Sequence, residues 1–126
     1  MKPSLYWRNV IRGGFFRPPT DDQEFFDLCT KGHAEAKRGL DVYIMALALL
    51  TYGRLDVVDD VLENMPPDRH PANRGLAGAV NQLIPAIPST LRAGTSPQEV
   101  LAWIRANESH LRWDEDAGHF VLTSSD

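Results

Sequence analysis

The segment from Leu40 to Thr51 reads LDVYIMALALLT and is apolar on nearly every side of a helical wheel. A helix of that kind has no face to offer water, so other elements must wrap it. Its continuous apolar run, Val42 to Leu50, is far shorter than the ~20 residues that cross a bilayer. The wrapping is therefore expected from the rest of the chain and not from lipid. With 126 residues, a single helical domain over 1–126 is expected. Hydrophobic residues at 43% and charged residues at 24% exclude a disordered chain and a coiled-coil rod.

The wrapping elements can be placed from local signals. Tyr6, Trp7, Val10 and Ile11 fall on one side of a helix and Arg8 and Arg12 on the other, which predicts an amphipathic first helix. Gly13-Gly14 ends it, and Phe15-Phe16-Arg17-Pro18-Pro19 forms an extended connector, so 1–19 is a basic helix with a Pro-rich link. Thr20-Asp21-Asp22-Gln23 has the pattern of a capping box with Thr20 as the cap. The helix it opens carries Phe25, Phe26, Leu28, Cys29 and Ala36 and is expected to stop at Lys37-Arg38-Gly39.

Gly53 breaks the apolar helix, and the short link Tyr52-Gly53-Arg54 folds the next helix back as an antiparallel hairpin. That helix has Leu55, Val58, Leu62 and Met65 on its apolar side, with Val57 and Val61 at the edge, and Pro66-Pro67 ends it. Pro71 is expected to open a fifth helix with Leu76, Val80, Leu83 and Ile84 inside, broken by Pro85 and Pro88, with a further turn at Ser89 to Arg92. Ser96-Pro97-Gln98-Glu99 predicts another start, with Ser96 capping, and a helix through Val100, Leu101 and Ile104 toward Asn107.

The period then changes. Leu111 and Trp113 alternate with polar residues, Asp114-Glu115-Asp116-Ala117-Gly118 is a turn, and Phe120-Val121-Leu122 follows. This predicts a β-hairpin over 110–123 with Gly118 left-handed and with Trp113 and either Phe120 or Val121 packed on the helices, before a loose tail at Ser124-Ser125-Asp126. The expected fold is mostly all-α: a compact bundle of five to six short helices around a central buried helical hairpin, closed by a small C-terminal β-hairpin. The Leu40–Met65 hairpin, with Leu-Asp-Val recurring at 40–42 and 55–57, is similar to a unit of the tetratricopeptide or HEAT class. Arrays of that class need ~3 units, and no second unit is found, so the likeness speaks to packing alone.

Charge narrows the function classes. The net charge is −4, but residues 1–20 hold Lys2, Arg8, Arg12 and Arg17 and no acid, leaving nine basic residues against seventeen acidic ones in the remainder. An acidic body of that kind argues against general nucleic-acid binding and suits a basic partner. Cys29 is the only cysteine, so no disulfide can form within the chain, and a reducing, cytoplasmic setting is expected. The N-terminal residues have no apolar stretch with a small-residue cleavage site, so no signal peptide is read. No phosphate loop, H-E-x-x-H, G-x-S-x-G or C-x-x-C motif is present, and no cofactor or metal is called for.

Four constellations remain. Cys29 and His33 stand four apart on one helix, as thiolate activation or a metal would need, or as a core cysteine beside a boundary histidine would also look. His110 and His119 flank the hairpin and would have to meet around one phosphate to serve a small hydrolase or nuclease. Arg8, Arg12 and Arg17 interleave with Tyr6, Trp7, Phe15 and Phe16, the composition of a nucleic-acid patch. Asp56, Asp59, Asp60 and Glu63 follow i, i+3, i+4, i+7 spacing and form an acidic stripe. Like charges at those spacings destabilise a helix by ~0.2–0.5 kcal/mol per pair, and a stripe kept despite that cost would steer a basic partner protein. The leading expectation is thus a non-enzymatic, acidic, cytoplasmic protein-binding protein, in the manner of an immunity or antitoxin protein that blocks a basic toxin. A nucleic-acid-associated regulator built on the N-terminal segment is the alternative, and a hydrolase or nuclease using His110 and His119 comes after it.

Overall fold

The computed structural model describes residues 2–15, 17–66, 76 and 78–123. The described chain is mostly helical. In order it runs α1 (Pro3–Arg12), α2 (Asp22–Glu35), α3 (Gly39–Leu50), a 3-10 turn at Leu55–Val57 that leads into α4 (Val58–Glu63), α5 (Gly78–Leu83), α6 (Pro97–Asn107), and strands β1 (Leu111–Asp114) and β2 (His119–Leu122). The expected opening of a helix at Pro71, the role of Pro67 and the tail 124–126 lie outside the described residues.

The apolar helix takes the central place its composition demands. Tyr43 and every residue from Ala46 to Leu50 are fully buried, while its first turn, including Leu40, reaches the surface. Around it lie Trp7 and Ile11 of α1, Phe25 and Cys29 of α2, Val58, Val61 and Leu62 of α4, Val80 and Leu83 of α5, Val100 and Ile104 of α6, and Phe120 of β2. The Tyr43 hydroxyl is buried with no hydrogen-bond partner among the described residues. Gly53, at φ +87°, turns the chain after α3. Asn64, just past the end of α4, comes back against Gly39 at the start of α3, so α3 and α4 form the expected antiparallel hairpin.

Several helix boundaries differ from the sequence signals. The cap of α2 is Asp21, not Thr20: its carboxylate accepts from the Glu24 amide at 2.7 Å, and the Thr20 amide and hydroxyl donate to Glu24 Oε2. The cap is shifted one residue and the reciprocal half of the box falls on Thr20 instead of the cap residue, because a carboxylate outcompetes a hydroxyl as acceptor at the positive end of a helix. Gly39 does not end α2. It has an ordinary helical conformation and opens α3, leaving Ala36–Arg38 as the link. α4 ends at Glu63, before Pro66, where the Asn64 side chain donates to the Asp60 carbonyl. Ser96 and Pro97 stand at the start of α6 as expected, but the Ser96 hydroxyl makes no capping bond.

The largest correction concerns α1. Its buried residues are Ser4, Trp7, Arg8 and Ile11, whereas Tyr6 and Val10 are 49% and 41% exposed. Arg8, expected on the wet side, is only 4% exposed. One of its terminal nitrogens donates to the Thr51 carbonyl at 2.7 Å, its Nε donates to the Thr51 hydroxyl at 3.4 Å, and its guanidinium lies 3.8 Å over the Tyr52 ring. The last carbonyls of a helix have no partner within it, and a cation suits that negative end. Thr51 is the C-cap of α3, so Arg8 caps the central helix from a neighbouring one.

The hairpin pairs Trp113 with Phe120 and Asp114 with His119, and the two rings meet edge-on at 5.1 Å. Gly118, at φ +74°, takes the left-handed position. The turn is docked on α1: the Gly118 carbonyl accepts from the otherwise free Ser4 amide at 3.0 Å, and Glu115 comes within 3.8 Å of Arg8. Trp113 lies on Gly53 so closely that an added Cβ would stand 2.5 Å from its Cγ. The two strands, marginal alone, are held by the helices on which they rest.

Candidate functional site

The acidic stripe starts in the 3-10 turn and continues along α4. Val57, Val58, Val61 and Leu62 go inward, with Leu55 and Met65 half-buried, and this turns the four acids outward. Asp56 and Glu63 are exposed and Asp59 and Asp60 half-exposed. Three of the four have partners in the chain. The Arg54 guanidinium donates to both oxygens of Asp56, at 3.3 and 2.7 Å, and this hydrogen bonding holds the Asp56 carboxyl below its ordinary range against a weaker opposing effect of burial. Asp59 pairs with Arg105 of α6, which also donates to Glu108 at 2.7 Å. Asp60 meets His33 Nε2 of α2 at 2.7 Å. Glu63 has no partner among the described residues.

These pairs change what the stripe is. It is a ridge in which three helices meet, α2 through His33, α4 through its acids and α6 through Arg105. Beside it a cleft of about 580 Å3 is lined by Leu55, Asp56, Arg105, Glu108 and Ser109. Arg54, Arg105, Glu108 and His33 were not read as part of the site. The spacings Arg54–Asp56 and Arg105–Glu108 were visible in the sequence, but the approach of α6 and α2 to α4 was not. Reversing the charge of Asp59 or Asp60 would therefore disturb folding contacts, which leaves Asp56 and Glu63 as the ridge positions that probe binding.

The other constellations come apart. Arg8 caps α3, and Arg12 donates to Asp22 at 2.6 Å and lies 5.1 Å over the Phe25 ring, so of the N-terminal cations only Lys2 and Arg17 are exposed. A phosphate would have to displace those internal partners. In the hairpin, His119 lies opposite Asp114 at the turn end, while the His110 carbonyl accepts from Thr123 at the far end. Four residues of strand, ~13 Å, separate the two positions, and the imidazoles do not share a site. His119 Nδ1 is 2.8 Å from the Phe120 carbonyl. Cys29 is fully buried and its thiol is pushed up to about 11, by burial first and against the opposing charge of Arg12, so it is not poised as a thiolate. His33 turns to Asp60 instead.

Among the described residues no group of three or more His, Cys, Asp or Glu side chains is placed to hold a metal ion. No helix among them is long and apolar enough to cross a membrane. No family model, curated protein or solved structure matches this chain.

Proposed function

We propose that this chain is a non-enzymatic cytoplasmic protein that binds another protein, and that Asp56, Asp59, Asp60 and Glu63 receive a basic surface of that partner. The observation that carries the reading is the balance of charge along the ridge. Five carboxylates, those four and Glu108, stand against two guanidinium groups, Arg54 and Arg105. Arg54, Arg105 and His33 hold four of these carboxylates, all but Glu63, in fixed positions, two of them across helix contacts. Fixed, half-exposed charges steer encounter and set the orientation of docking without first having to be ordered. The cleft beside Asp56 and Glu108 has room for a lysine or arginine side chain from the partner. The single buried thiol fits a reducing compartment. Within this class the chain is read as immunity- or antitoxin-like, covering basic groups of a toxin.

The test compares the wild type with Asp56→Lys/Glu63→Lys as bait in native lysate, with thermal melts to show equal folding. A protein retained by the wild type, released as salt rises and absent from the variant supports the reading. A protein held equally by both baits removes the ridge from the interface, and recovery of nucleic acid alone overturns the proposal.

A further inference from the structure

The hairpin leaves one backbone edge open. The Thr123 amide donates to the His110 carbonyl at 2.7 Å, and with Leu111 opposite Leu122 this makes Arg112–Val121 and Asp114–His119 the bonded pairs of the ladder. The backbone groups of Leu111 and Trp113 therefore point away from β2. The Leu111 amide turns back to the Glu108 carbonyl, but the Leu111 carbonyl and both backbone groups of Trp113 have no partner among the described residues. The outer edge of β2 is covered instead: the Ser4 amide of α1 donates to the Gly118 carbonyl, and His119 Nδ1 lies 2.8 Å from the Phe120 carbonyl. An unpaired edge is a template for another strand.

The charges beside Trp113 select that strand. Arg112 and Asp114 alternate with Trp113 onto the other face of the strand, where they line one cleft with Val121 and Thr123. Arg112 is exposed, with no hydrogen bond or ion pair among the described residues. Asp114 is half-exposed and accepts from the Ala117 amide through one carboxylate oxygen. A copy of β1 turned antiparallel about Trp113 exchanges two amide–carbonyl bonds with it and brings Arg112 of each chain opposite Asp114 of the other. A slide of two residues either way, the smallest that keeps the bonding pattern, sets Arg112 against Arg112 or Asp114 against Asp114. Like charges directly opposite are destabilising, so one register is favoured. We propose that β1 is a self-association edge, which pairs antiparallel with β1 of a second copy, centred on Trp113, and joins two hairpins into one four-stranded sheet. This surface is separate from the acidic ridge on α4 and does not rest on the function proposed for it.

Sedimentation equilibrium and amide hydrogen exchange by NMR, over about 0.02 to 2 mM protein, test the pairing. A four-residue edge falls short of the ~1,200 Å2 that a stable complex buries, so the expected dimer is weak, with a Kd of roughly 0.1–1 mM. In dilute protein the Trp113 amide should exchange fast while those of Arg112 and Asp114 are protected, and dimerisation should protect Trp113 as well. Arg112→Glu turns two attractive pairs into two repulsive ones and should weaken the dimer about tenfold or more. Asp114→Arg should do the same, and an equal mixture of the two variants should pair again, because unlike charges then face each other at both positions. Asp114→Arg gives up the bond from Ala117; if its turn does not fold, the exposed and unpaired Arg112 carries the test alone. The proposal is overturned if the chain is monomeric at the highest concentration, if the Trp113 amide is already protected in the monomer or stays unprotected in a dimer, or if Arg112→Glu dimerises as tightly as wild type. Asp56→Lys/Glu63→Lys should dimerise as wild type does; a dimer lost there places the contact on the ridge and also overturns it.

Discussion

Replacing Arg8 by methionine removes the fork and charge while keeping most of the side chain's apolar length. Three interactions go with it. The Thr51 carbonyl sits in a fully buried residue and loses its donor at 2.7 Å; an orphaned buried acceptor costs ~1–3 kcal/mol. The guanidinium leaves the face of Tyr52, where a partly desolvated cation–π contact contributes ~1 kcal/mol. The approach to Glu115 adds little, because that carboxylate is 68% exposed and 3.8 Å away. Relief of the desolvated charge and the apolar fit of methionine offset part of the loss. A net destabilisation of ~2–3 kcal/mol follows, or roughly 6–15 °C in Tm for a domain of this size. Urea unfolding followed by circular dichroism should show a lower midpoint at unchanged slope. Arg8→Lys, which keeps charge but not the fork, should fall between the two. If Arg8→Met melts within ~0.5 kcal/mol of wild type, the capping role is wrong. If the variant instead loses one unit of salt slope in nucleic-acid binding while its stability stands, Arg8 contacts phosphate after all.

Other expectations follow from the same contacts. Gly53→Ala forces a side chain into a left-handed φ and onto Trp113, and should cost more than the ~1–2 kcal/mol of the conformation alone, with a changed Trp fluorescence spectrum as its signature; an unaltered melt and spectrum would place Trp113 elsewhere. The Cys29 thiol, buried and raised to about 11, should resist iodoacetamide at neutral pH and react once the chain is unfolded in urea; rapid labelling of the native protein would contradict that burial. The Asp56 carboxyl is depressed below its ordinary value of 3.8, so its contribution is present above that pH and fades as pH falls through the lower folded value. Because the pair is exposed, Asp56→Asn should cost at most ~0.5 kcal/mol at neutral pH and nothing once the wild-type carboxyl is protonated; equal melting curves at both pH values would leave the Arg54 pair without effect.

What could be read from the sequence was whatever a single segment decides by itself. The all-apolar face of Ala46 to Leu50, the helix break at Gly53, the left-handed Gly118 and the alternation around Trp113 are properties of a few neighbouring residues, and each led to the observed element. Arg8 was misread because a helical wheel sorts residues by water affinity and knows nothing of a carbonyl end arriving from another helix. The same blindness applies to the ridge. Four acids at helical spacing announced an outward face, but Arg105 and His33, which fix two of them, come from segments that meet α4 only in the folded chain. The shift of the α2 cap from Thr20 to Asp21 is a smaller case, a contest between adjacent candidates that differ by about the strength of one charged hydrogen bond.

The bond from the Ser4 amide to the Gly118 carbonyl carries a consequence for synthesis. The leading turn of α1 waits for the 114 residues that follow Ser4, up to Gly118, to be translated before it finds its acceptor, roughly 6–23 s at ~5–20 residues per second. Through that interval Trp7 and Ile11 must rest on a half-made core or be shielded by a chaperone. A translational pause ahead of the closing strands would lengthen that exposure, and the yield of native protein from a cell-free reaction should fall with it.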